Sequence, residues 1–189
     1  MKRIHLLLVV LFCMNQIHAQ SVAVQDIEEL TFLGVDYSLA QVFGAEETTA
    51  QFRHAFDGIN GLFLSEPKKY APSQAFPRKK ITENYRMVDQ LNRGLEYETL
   101  KRDDNNYEVT EEMIAEHIAT YATGDLEGYG AILITALMNK PQNMATYHIV
   151  VFDLTTKELI SHKRVTTKAG GFGLRNYWAS SVARALKAK

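Results

Sequence analysis

The chain has 189 residues, 46% of them hydrophobic, and 21 basic against 22 acidic side chains give a net charge of −1. Charge this balanced and this scattered excludes the polybasic surface that nucleic acid or anionic lipid requires, so no nucleic-acid partner is expected. The single cysteine, Cys13, leaves the chain without an internal disulfide, and its stability must come from a packed core.

Lys2 and Arg3 precede an apolar run from Ile4 to Met14 broken only by His5, and Ile17-His18-Ala19 follows with a small residue at its end. This order is that of a cleaved signal peptide over residues 1–19, with an imperfect small-x-small cleavage site. The run is too short to cross a bilayer, so no transmembrane segment is expected. The mature chain would start at Gln20 or Ser21, in the periplasm or outside the cell. Lipidation at Cys13 is disfavoured because bulky Phe12 precedes it. Cleavage takes Cys13 and two basic residues, leaving 170 residues, cysteine-free, with nineteen basic against 22 acidic side chains. That length suits a single domain over residues 20–189.

Leu30 to Val35 reads as a first strand that can run on through Val42 until Gly44. Phe52, Ala55, Phe56, Ile59, Leu62 and Phe63 recur at helical spacing and predict a helix from about Thr48 to Ser65, capped by Thr48 or Thr49. Gly58 and Gly61 within it suggest close packing against a neighbour. Pro67, Pro72 and Pro77 mark residues 67–80 as a surface loop. Residues 81–91 fit neither a two-residue nor a helical period; a strand is the preferred reading and a helix stays open. Thr110, followed by Glu111 and Glu112, starts a helix whose buried face is Met113, Ile114, Ile118 and Tyr121.

Gly130 to Met138 is nearly continuous apolar sequence, as in a central strand covered on both faces. Thr146–Asp153 and Glu158–Thr166 predict a hairpin around Leu154-Thr155-Thr156-Lys157. A glycine-rich turn then leads to a helix from about Leu174 to Lys187, with Trp178, Val182, Ala185 and Leu186 on its buried stripe. The fold expected is α/β: a single-domain mixed sheet with helices packed on it, ending in a strand-hairpin-helix unit.

Chemistry is sparse. If Asp153 pairs with Glu158, the hairpin register turns His148 and His162 to opposite faces unless a one-residue bulge intervenes, and no other spacing suggests a metal site. No nucleophile elbow is present, and Glu46-Glu47, Asp103-Asp104 and Glu111-Glu112 suit turns and helix starts. No catalytic, metal or cofactor residues are therefore assigned. Residues 168–176 are the candidate ligand turn: Gly170, Gly171 and Gly173 before a helix start, with Lys168, Arg175 and Asn176 as further donors to an anion. The plainer reading, which the sequence favours, is a tight strand-to-helix turn. Tyr177 and Trp178 read as core anchors, or as surface aromatics of a binding face.

Thr31 to Gly44 and Lys168 to Ala179 together resemble an uncharacterised family of small exported Bacteroidota proteins, which implies a free-standing α/β domain and no transferable activity. More weakly, Val150 to Ser161 followed by a strand and a final amphipathic helix is similar to envelope α/β domains. These include the curli-secretion lipoprotein, the activators of penicillin-binding proteins and the TolB amino-terminal domain. The expectation is an exported soluble, non-catalytic binding or assembly module of the cell envelope, with an envelope protein as partner. The alternative is a small-molecule anion binder or a hydrolase using the 168–176 turn. A plainer third reading is a packing domain within an oligomer.

Overall fold

The computed structural model describes residues 23–188. The expected signal peptide, Cys13 and the cleavage site lie outside them. The first apolar run forms strand β1 (Glu29–Asp36), and the chain breaks at residues 37–40 before continuing as β2 (Gln41–Phe43). Helix α1 (Thr49–Ser65) follows, capped by a reciprocal pair in which Thr48 Oγ1 accepts from Gln51 N–H and Gln51 Oε1 accepts from Thr48 N–H. Residues 81–91 are both things in turn: β3 (Lys80–Glu83) and then α2 (Arg86–Arg93). Asn84 makes the change, because its side-chain oxygen accepts from Arg86 N–H at the helix start. After a two-residue β4 (Lys101–Arg102), Thr110 caps α3 (Glu111–Ala119). Then come β5 (Tyr129–Asn139), β6 (Met144–Asp153), β7 (Leu159–Lys168) and α4 (Leu174–Ala185).

All seven strands join one mixed sheet. β5 is its axis. On one edge it pairs in parallel with β1 and then β2, whose outer neighbours are β3 and β4. On the other edge it begins the antiparallel run β5-β6-β7. Burial of Ala131 to Ile134 on both faces fits the near-continuous apolar run of β5. One face carries a core of Phe32, Val35, Leu133 and Tyr147 under α1 and α4; the other carries Leu33, Ile132, Ile134 and Val150 under α2 and α3. Three layers result, helices on both faces of the sheet.

The break after β1 is built from buried polar groups. Gly34 has φ +103°, which side chains disfavour, and the β1–β5 register shifts between Phe32 and Val35. Beyond the shift, β3 no longer pairs with β1. Two buried asparagines stand in for the missing strand. Asn60 Oδ1 accepts from Val35 N–H at 2.9 Å, and its Nδ2 donates to the Val35 carbonyl at 3.0 Å. From α2, Asn92 Nδ2 donates to the same carbonyl while its Oδ1 accepts from Tyr37 N–H.

Candidate functional site

The glycine turn 169–173 connects β7 to α4 and packs against the start of α1. Gly171 (φ +121°) and Gly173 (φ +78°) take conformations that other residues resist, and Gly170 N–H bends back to the Tyr177 carbonyl. Between the turn and the first two turns of α1 lies an open cleft of about 450 Å³, lined by Ala50, Gln51, His54, Ala55 and Phe172 to Asn176. Phe172 stands at its lip, 96% exposed.

Of the candidate turn residues, Gly173, Arg175 and Asn176 line this cleft. Lys168, Gly170 and Gly171 do not; Lys168 offers its carbonyl to Arg184, and Gly170 spends its N–H on Tyr177. Of the two aromatics weighed for the surface, Trp178 is fully buried, because its helical position turns it onto the sheet beside Val182 and Ala185. Tyr177 is half-buried, donates to Asn143 Oδ1 and lies under the Lys140 ammonium at 3.9 Å. The exposed aromatic is therefore Phe172.

Arg175 explains one glycine of α1. A side chain at Gly58 would meet Arg175 Cδ at 2.7 Å, so the Arg175 stem occupies the space that side chain would take; at Gly61 nothing lies within 4 Å. The Arg175 guanidinium holds Asn176 Oδ1 through Nε (3.1 Å) and Nη2 (3.0 Å), and it has no carboxylate partner among the described residues. It also sits in the first turn of α4, where the helix dipole is positive and no side chain caps the free N–H groups. Positive potential accumulates there without an answering charge.

Two polar clusters lie on the α3 face, and the first is not foreshadowed by any motif. Asp36, fully buried at the end of β1, accepts from His117 Nε2 (2.7 Å), Tyr121 OH (2.7 Å) and Ser38 N–H (2.7 Å). Burial alone would raise its pKa. The bond to His117 and the charge beside it, then the Ser38 and Tyr121 bonds, more than offset burial and leave the carboxyl below its ordinary value. Among the described residues no nucleophile bonds to His117, and its contact with Asp36 ties β1 to α3. An acid ending an apolar parallel strand was the available signal.

The second cluster is the bulged case of the hairpin register. Asp153 does pair with Glu158 at the hairpin turn, but Ile160 is an extra residue on β7, and beyond it the register moves by one. His148 now faces Arg164 and His162 faces Val150, so both imidazoles point to one face, with His148 Nδ1 2.6 Å from His162 Nε2. Among the described residues no three His, Cys, Asp or Glu side chains converge as metal ligands, and no helix is long and apolar enough to cross a membrane.

Searches find no matching family model, no matching curated protein and no matching solved structure. The function must be argued from the site.

Proposed function

We propose that this chain is an exported, non-catalytic binding module whose contact surface is the cleft between α1 and α4. The observation that carries this reading is Phe172, 96% exposed at the lip of a cleft lined by Ala50, Ala55 and Leu174. A phenylalanine held out in water by a glycine turn contributes nothing to the core and presents about the anchor that protein interfaces favour. The charge beside it selects the partner: Arg175 and the uncapped start of α4 favour a carboxylate. The occupant is a segment of an envelope protein that pairs an apolar side chain with an acidic group. The leader-like residues 1–19 and the resemblance to small exported proteins support the location.

Crosslinking of the chain in its native envelope, with capture and mass spectrometry, tests the proposal. A reproducible partner lost in Phe172→Asp, with unchanged thermal stability, supports it; capture indifferent to Phe172 refutes it. N-terminal sequencing of the exported protein should begin at Gln20 or Ser21, and an intact Met1 end would refute export with cleavage. The alternative, a small anion held at the same helix start, rests on the unpaired Arg175. It predicts that Arg175→Met, which keeps the stem over Gly58, abolishes stabilisation by phosphate or small carboxylates while basal stability stays put.

A further inference from the structure

The extra residue at Ile160 brings His148 and His162 together beneath α3, their rings stacked at 4.8 Å between centroids and 27° between planes. His148 is 1% exposed, and its Nε2 finds no hydrogen-bond partner among the described residues. That atom decides where the protons sit. A proton on Nε2 would bury an N–H that donates to nothing, whereas a lone pair without a donor partner there costs less. His148 therefore carries its proton on Nδ1 and donates it to His162 Nε2. His162 in turn is protonated on Nδ1, which faces Glu111 Oε2 at 3.8 Å. A polar chain thus runs from exposed Glu111 through His162 to buried His148. The same atom argues against a metal between the rings, because a ligated imidazole ordinarily donates its second N–H to a partner and His148 has none.

We infer that the His148–His162 pair is a proton-sensitive seat for α3, closed while the pair shares one bridging proton and loosened when acid adds another. The groups facing it are few. Arg164 lies directly opposite His148 on β7; Glu111 opens α3, and Glu108 just before it lies 3.9 Å from Arg164. From β5 the register neighbours are Ile134 and Ile132, which are apolar. Farther along, His117 of α3 and Tyr121 just past its end are already committed to Asp36 on β1. An added proton must go to His148 Nε2, which makes one buried cation whose N–H has no acceptor, next to Arg164, with only the exposed carboxylates of Glu111 and Glu108 to answer it.

Burial first, then the neighbouring His162 and Arg164, pushes the His148 pKa down to about 4 from its ordinary 6.5. The seated form thus refuses a proton that the released form accepts. Between those values the released form binds more protons, so the seat weakens as pH falls from about 6.5 to about 4 and is fully in place above that window. α3 has nine residues, and its release uncovers Ile114 and Ile118 together with Ile134 and Val150 of the sheet. Acid would thereby expose a second apolar surface, separate from the α1/α4 cleft.

Hydrogen exchange of the full chain, followed by mass spectrometry from pH 7.5 to 4.5 and corrected for the intrinsic rate, tests this. Amides of α3 should lose protection by up to about tenfold per pH unit below about 6.5, while those of α1 and α4 keep theirs. In His148→Asn the side-chain NH₂ can still donate to His162 Nε2 but takes up no proton, and the acid response of α3 should flatten. A uniform acid response across all helices would overturn the inference. So would an undiminished response in His148→Asn, since the buried imidazole is then gone and cannot be its source. Should His148→Asn fail to fold, ¹⁵N imidazole spectra of the wild-type chain decide. Proton uptake by the pair and the α3 amide changes should share one midpoint, and separate midpoints would overturn the proposal.

Discussion

At Asp36 three donors from three places, His117, Tyr121 and the Ser38 backbone, converge on one carboxylate that water does not reach. Asparagine at this position keeps the shape but turns an NH₂ towards groups that also donate. Asp36→Asn should therefore cost about 2–4 kcal/mol of stability in urea unfolding at pH 7. Its depressed pKa makes the carboxylate's contribution complete above about pH 4, the unfolded value, and lost as pH falls through the lower folded one. The gap between wild type and variant should accordingly narrow at pH 3 and persist at pH 5. Asn60 works by the same logic on neutral groups: Asn60→Ala leaves the Val35 N–H without its partner and should cost about 1–3 kcal/mol. Asp36 shows in the sequence only as an acid ending an apolar strand, and Asn60 leaves no such mark. Asn60 sits among apolar neighbours on α1, and only the gap left where β3 stops pairing with β1 explains a polar side chain there.

Elements were legible where one period runs long enough to repeat. α1 spans 17 residues and shows its buried face and its cap; β5 spans 11 and shows its apolar continuity. Residues 81–91 hold a strand end and the first six residues of the eight-residue α2, each too short to establish a period, so a single reading could not fit both. The Thr48–Gln51 capping box is local chemistry, and Thr48→Ala should remove about 1 kcal/mol, lowering the melting temperature by roughly 2–4 °C. The β6–β7 hairpin shows the limit of local reasoning. Its turn is written in Asp153, whose side chain accepts from Thr155 and Thr156 N–H, and in Lys157 at φ +65°. The bulge at Ile160 has no comparable signature, and one inserted residue sends every later side chain to the other face.

Across the whole molecule, the residues that hold the fold and the one proposed to meet a partner separate by burial. Trp178, fully enclosed against the sheet, should cost about 3–5 kcal/mol as Trp178→Ala. Phe172, six positions earlier and almost fully exposed, should change stability by no more than about 0.5 kcal/mol as Phe172→Asp, measured by the same thermal melt. Such a contrast within one short segment leaves Phe172, not Trp178, on the surface where the proposed contact lies. The cleft beside it exists because α1 and α4 share one face of the sheet, where Arg175 crosses Gly58.

Sequence alone determined the α/β class, the limits of α1, β5 and the hairpin turn, and the glycine-rich entry to α4, because each rests on contacts or periods a few residues apart. It also placed Arg175 and Asn176 beside a helix start. Tertiary structure decided which glycine-turn residues meet the cleft, that Trp178 turns inward while Phe172 stands out, and that two histidines fourteen residues apart share a proton beneath α3. Those outcomes depend on strand register and on which helices share a sheet face, and both are set by packing between segments distant in the chain.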